Sequence, residues 1–259
     1  MGNWAGSVDR FDKMEKRVIR DIRHYELRPD EYTGKFDGIL GNVYKGSFEI
    51  KCIGQRISRK LNELKFITGD FDHLYIYLND KLDNGTIIER DFEYDKQMKC
   101  FDFGQNVNEF NSLTDNEREK RINEMTFKVL KYKFGQNNND KELIDSVEKL
   151  IEEEGKKIII NYKDKETKDY KLNVGFQIAP TDSKSKIVVD YLSKKSNKQL
   201  TTTIDLHHYE DIYILVDKVT VDGHRIIFLP KKTLKTEFVT EKYSTPLTVD
   251  INKLELIES

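Results

Sequence analysis

Apolar positions along the first half of the chain alternate between helical and strand spacing. Phe11, Met14, Val18, Ile22 and Tyr25 recur at helical intervals and Pro29 ends the run, which predicts a helix over residues 9–27. The other side of that segment carries Lys13, Lys16, Arg17, Arg20 and Arg23, a basic face that reads first as solvated and second as phosphate-binding. Short strands are expected at 36–44 and 47–53, turning at Lys45-Gly46, and a helix at 56–66 through Ile57, Leu61 and Leu64. Further strands fit 73–79, 86–94 and 98–103. Thr114 and Glu117 form a capping-box signature ahead of the stripe Ile122, Met125, Val129, Leu130 and Phe134, so a helix spans 115–134 and Gly135 closes it.

The polar stretch GQNNND (135–140) marks a domain boundary. A second capped helix follows at 140–154, with Leu143, Ile144, Val147, Leu150 and Ile151 inward. Beyond it the pattern is strand after strand: 157–163, 169–178, 186–192, 200–207, 212–221 and 224–229, then shorter ones at 237–240 and 247–250. Asp222-Gly223 is expected at the centre of a two-residue hairpin turn. These elements define an α+β fold: a mixed α/β unit over residues 1–135, then an antiparallel sheet or sandwich over 136–259, entered by one helix.

Composition narrows the function. Lys and Arg number 44 against 46 Asp and Glu, so the general basic excess of a nucleic-acid binder is missing. No apolar run reaches the roughly 18 residues needed to span a bilayer, and the first residues, MGNWAGS, lack a signal-peptide core, so the chain is expected in the cytoplasm and off the membrane. Cys52 and Cys100 read as buried free thiols.

Two stretches carry candidate chemistry. In FDGILGNVYKGSFEIK (36–51), Glu49 and Lys51 stand two apart, on one face if the segment is a strand, and Asp37 lies on the preceding strand. This Asp…Glu-x-Lys order resembles the signature of restriction-endonuclease-like nucleases over residues 10–79. The resemblance implies an Mg²⁺-dependent nuclease acting on nucleic acid, with Asp37 and Glu49 on the metal and Lys51 on the attacking water. Against it, Glu-x-Lys recurs at Glu63–Lys65 and Glu166–Lys168, and the alternation of Phe48, Ile50 and Cys52 is that of any half-buried strand. In DLHHYED (205–211), His207 and His208 point to opposite faces if extended, so the stretch reads as a polar strand end rather than a metal site. No Gly-x-Ser-x-Gly, Walker loop or dinucleotide-binding glycine pattern occurs. The sequence therefore favours a binding protein without cofactor over an enzyme.

The second stretch is acidic. Between Asp70 and Asp115 eleven carboxylates face four basic residues, with aromatic side chains between them. If Leu74, Ile76 and Leu78 face inward, Tyr75 and Tyr77 face out, and Glu89, Asp91 and Glu93 join them in a partner-binding surface. The segment FDHLYIYLND…ERDFEYD…FDFGQNVNEFNSLTDNEREKRINEMTFKVLKY, within residues 48–132, resembles immunity proteins that accompany bacterial polymorphic toxins. That resemblance implies stoichiometric neutralisation of a cognate protein partner, a basic toxin domain.

Overall fold

The computed structural model of the chain describes residues 16–27, 38–91, 95–180 and 183–256. Its first part contains β1 (Arg17–Val18), β2 (Asp21–Glu26), β3 (Gly38–Ile39), α1 (Phe48–Glu63), β4 (Ile67–Gly69), β5 (His73–Asn79), β6 (Ile87–Glu89) and β7 (Met98–Gly104). Three helices follow: α2 (Val107–Ser112), α3 (Asp115–Phe134) and α4 (Asn138–Glu154). The main sheet here has the order β3-β2-β5-β7-β6. Its three middle strands run parallel, with β3 and β6 antiparallel at the edges. β1 pairs separately with β4. Ile22, Leu74, Ile76, Leu78, Phe101 and Phe103 share one core with the inward stripes of α1, α3 and α4.

The later part is antiparallel. It comprises β8 (Ile160–Glu166), β9 (Tyr170–Gln177), β10 (Ser185–Ser193), β11 (Lys198–Leu206), the short helix α5 (Ile212–Leu215), β12 (Lys218–Asp222), β13 (Arg225–Leu229), α6 (Leu234–Thr240), β14 (Leu247–Asp250) and β15 (Glu255–Leu256). Five strands in the order β15-β11-β10-β9-β8 and three in the order β12-β13-β14 share a second core. The fold is α+β, as the periodicity indicates. Lys163 and Lys165 reach from edge strand β8 to backbone carbonyls of Asp217 and Val219, the latter on edge strand β12. The cores change over between Ile158 and Ile160, after α4.

Several local readings are corrected. Residues 17–18 and 21–26 are strands, not part of a helix. In β2 the inward positions are Ile22, His24 and Glu26. Two of these three side chains are polar, so the strand's alternation was disguised. Both are satisfied inside. Glu26 is fully buried and its carboxylate accepts from the backbone N–H groups of Gly41, Asn42, Val43 and Tyr44 at 3.0–3.3 Å. His24 Nε2 lies 2.8 Å from Thr126 Oγ1 on α3. Because Thr126 gives its own proton to the Ile122 carbonyl, the imidazole is the donor.

The expected strand 47–53 is instead the first turns of α1. Ser47 caps it by accepting from the Ile50 N–H, and Ile50, Ile53, Ile57 and Leu61 form its inward stripe. Gly54 allows α1 to lie against β2, since a Cβ there would sit 2.3 Å from the Ile22 carbonyl oxygen. α1 also has a second stripe. Cys52 enters the second core, Arg56 donates through Nε and Nη2 to the Ile178 carbonyl at 2.9 and 2.6 Å, and Lys60 donates to the Ile159 carbonyl at 3.0 Å. Glu63 accepts from the Asn161 N–H at 2.8 Å. One helix therefore serves both cores. Elsewhere, β6 is shorter than the expected 86–94, Ile212–Leu215 is a helical turn, and 237–240 lies within α6. In the β12–β13 hairpin Asp222 pairs with Arg225, so the two loop residues are Gly223 and His224, and the positive φ falls on Gly223 at 57°.

The buried imidazole sets an acid limit on stability. Burial pushes His24 down from 6.5 to about 4. Above pH 6.5 the ring is neutral folded and unfolded. Between pH 6.5 and 4 the unfolded chain takes up a proton that the folded chain refuses, so stability falls with pH. The expected loss is on the order of 3 kcal/mol by pH 4. Urea denaturation at pH 7 and pH 4.5 should show a smaller acid loss in His24→Gln than in wild type. Equal losses would contradict the assignment.

Candidate functional site

The structure separates Glu49 from Lys51, two of the three residues that the nuclease resemblance brings together. Glu49 and Lys51 lie on helix α1, where two positions apart means about 200° around the axis. They line different cavities. Lys51 borders a cleft of 230 Å³ with Arg23, His24 and Gln55. Glu49 is buried in a cavity of 130 Å³ with Arg56, Glu119 and Lys156. Its Oε1 is ion-paired with the Arg56 guanidinium, and its Oε2 is 3.5 Å from the Lys156 ammonium. Asp37 lies outside the described residues. The one-face geometry expected for Glu49 and Lys51 depended on a strand that is not formed.

The tyrosine surface is also corrected. β5 pairs with β2 and β7, not with the acidic strand, so it is central in its sheet. Tyr75 and Tyr77 are 7% and 4% exposed and cluster with Cys100, Tyr25, Leu27 and Met98. Tyr25 lies 5.2 Å from Tyr75 and 5.3 Å from Tyr77, ring to ring, and the Arg90 guanidinium covers Tyr77 at 3.7 Å. Glu89 is on edge strand β6, held by Lys99 at 2.9 Å and Lys133 at 2.8 Å. Burial opposes its ionisation, but these two lysines hold its carboxyl below the usual range. Asp91 is exposed, and Glu93 lies outside the described residues. With Tyr75 and Tyr77 covered, the described members of the set, Tyr75, Tyr77, Glu89 and Asp91, do not form one open docking face.

The histidine pair has structural duties. The His208 side chain caps the turn at Tyr209–Asp211, and the His207 N–H donates to the Tyr243 hydroxyl, which itself donates to Asp211. No group of three or more His, Cys, Asp or Glu side chains among the described residues is placed to hold a metal ion.

An open acidic surface does exist, in a place the sequence did not indicate. α3 and α4 pack antiparallel-fashion along their apolar stripes, and their carboxylates border a groove of 580 Å³. Glu119 and Glu124 come from α3, Glu148 and Glu152 from α4, with buried Phe127 and Ile151 beneath. Lys120, 79% exposed, is the cation among its lining residues, and three of the four carboxylates have a cation close by: Glu148 is ion-paired with Lys131, Glu124 lies 3.8 Å from Arg121 and Glu119 lies 3.9 Å from Lys156. At one end the groove shares Glu119, Asn123 and Ile151 with the Glu49 cavity. Burial raises the Glu119 carboxyl above its ordinary value, opposed by Lys156 and aided by Glu49. Helix spacing could have revealed the site: residues 120, 124 and 127 on one helix, and 148, 151 and 152 on the next, line adjoining faces.

No family model matches the chain, and no curated protein or solved structure gives a significant match to it. No helix among the described residues is long and apolar enough to cross a membrane.

Proposed function

We propose that the protein is a non-enzymatic binder that neutralises a basic toxin domain by stoichiometric docking, as an immunity protein does. The observation that supports this reading is the α3–α4 groove, with its four glutamates around an apolar floor. Clustered carboxylates accelerate encounter with a basic protein, and the apolar floor offers contact area once the charges are aligned. The partner is a protein bearing lysine or arginine side chains on a projecting element. Such binding needs no cofactor. The reading places the chain in the cytoplasm, where the buried thiols of Cys52 and Cys100 remain reduced.

The test requires a basic toxin domain encoded beside this chain's gene, and its absence from the neighbouring genes would count against the immunity reading. Co-expression of the wild-type chain should restore growth to cells producing that domain. Glu124→Lys/Glu152→Lys should slow association about tenfold or more at low salt and flatten its salt dependence, with an unchanged circular dichroism spectrum. Failure of the wild type to rescue growth would overturn the immunity reading. Rescue with kinetics unchanged by the double reversal would overturn the groove.

A further inference from the structure

Where the acidic groove meets the Glu49 cavity, buried hydrogen-bond acceptors lack donors. The Glu49 side chain is 7% exposed. Its Oε1 is taken by the Arg56 guanidinium, which also donates to the Ile178 carbonyl. Among the described residues its Oε2 has no hydrogen-bond donor, and neither has the buried Oδ1 of Asn123. Both residues line the same cavity of 130 Å³. Glu119, one turn before Asn123 on α3, brings a second carboxylate to it.

Lys156 balances the charge without completing the hydrogen bonds. Gly155 ends α4 at φ 52°, and the chain turns there so that Lys156 borders the cavity. The Lys156 ammonium stands 3.5 Å from Glu49 Oε2 and 3.9 Å from Glu119 Oε2, beyond the roughly 2.7–2.9 Å of a charge-assisted hydrogen bond. Its side chain is 60% exposed. Two carboxylates thus face two cations, Arg56 and Lys156, yet two buried oxygens accept no proton. A buried acceptor left without a donor is costly, so a ligand that brings N–H groups gains by entering. The shape of the cavity selects among such ligands. With Oε1 occupied, Glu49 cannot offer both oxygens to a planar guanidinium. A primary ammonium is a compact charge with three donors, and three acceptor groups are present: Glu49 Oε2, the Glu119 carboxylate and Asn123 Oδ1. Ile53 and Ile151, both buried, line the same cavity and suit the methylenes behind an ammonium. A cavity of about 150 Å³ admits a benzene-sized molecule. One of 130 Å³ therefore holds an ammonium with its nearest methylenes.

We propose that this cavity binds a primary ammonium group, inserted by a lysine side chain of the basic partner, with Lys156 as the resident ammonium that it displaces. Glu119, Asn123 and Ile151 also line the groove, so a chain lying in the groove passes the mouth of the cavity. The choice of a partner lysine as the source rests on the docking reading; the ammonium site itself does not.

The experiment titrates n-butylammonium chloride into the full-length chain and follows the Gly155 backbone amide and the Asn123 side-chain amide by NMR. n-Butyltrimethylammonium chloride, of equal charge but without N–H donors, is the control at matched ionic strength. Saturable shifts are expected with n-butylammonium alone. Its affinity should fall at least fivefold in Asn123→Leu, which removes an acceptor at similar volume. It should rise at least fivefold in Lys156→Met, which removes the resident competitor from an exposed position. No toxin enters this titration, so its outcome is separate from that of the growth-rescue test. Saturating n-butylammonium, at constant ionic strength, should then slow association of the toxin domain with wild type and not with Asn123→Leu, which assigns the site to a partner lysine. Saturable amine binding with association unaffected would assign it to a free amine. No saturable shift in wild type, equal shifts with the trimethyl compound, or wild-type affinity in both variants would overturn the proposal.

Discussion

Arg56→Ala should cost about 3–5 kcal/mol of stability, because it leaves a buried carboxylate without its main counter-charge. Arg56 is 4% exposed and Glu49 6% exposed. The guanidinium joins Glu49 to the Ile178 carbonyl, linking α1 with the exit of β9. Removal would strand Glu49 beside Lys156 alone and deprive the Ile178 carbonyl of its donors. The loss should appear as a lower midpoint in urea denaturation followed by circular dichroism. Glu49→Met/Arg56→Met removes both charges at similar volume and should be markedly less damaging than Arg56→Ala. A double variant as unstable as the single one would show that Arg56 acts mainly through Ile178, not as the counter-ion of Glu49.

Glu26→Ala should be comparably severe, at about 3–5 kcal/mol, through four orphaned backbone donors rather than through a lost ion pair. The carboxylate gathers the N–H groups of residues 41–44 into a concave cradle. That cradle is fastened to its surroundings. The Tyr44 hydroxyl donates to the Gln105 carbonyl at 2.5 Å, and the Asn111 side chain accepts from the Lys45 N–H and donates to the Val43 carbonyl. Losing Glu26 should therefore loosen the approach to α2 as well. Amide hydrogen exchange at Asn42, Val43 and Tyr44 is the direct measure, and it should accelerate about a hundredfold, the equivalent of roughly 3 kcal/mol of local protection. Glu26→Gln should be intermediate, since its amide N–H₂ group presents donors toward donors. Unaltered exchange in Glu26→Ala would mean that the loop holds its shape by other contacts.

These two sites also show where a sequence can and cannot be read. Helix α3 was legible to its ends because each signal agreed: Thr114 and Glu117 form the capping box, and Ile122, Met125, Val129 and Leu130 are buried on one stripe. The C-terminal strands were legible because one side of β9 and β10 is apolar at every second position. β2 was not, because His24 and Glu26 occupy inward positions and find their partners on α3 and in a distant loop. α1 was misread at its start because Phe48, Ile50 and Cys52 alternate, while its second buried stripe contains the charged residues Arg56 and Glu63. The tyrosines of β5 were misplaced because alternation gives a face but not whether that face is covered. The α3–α4 groove was legible only in halves: spacing puts residues 120, 124 and 127 on one face and 148, 151 and 152 on another, and the packing of the two helices is what brings those faces together.

The lysines that span from β8 to β12 carry a consequence for behaviour at high concentration. A bare strand margin offers free carbonyl oxygens on which another molecule's backbone can polymerise. Here the ammonium groups at 163 and 165 already occupy acceptors at 217 and 219, and they would present unmatched positive charge to any intruding chain. The same contacts that join two sheets into one body thus discourage these molecules from stacking into fibrils.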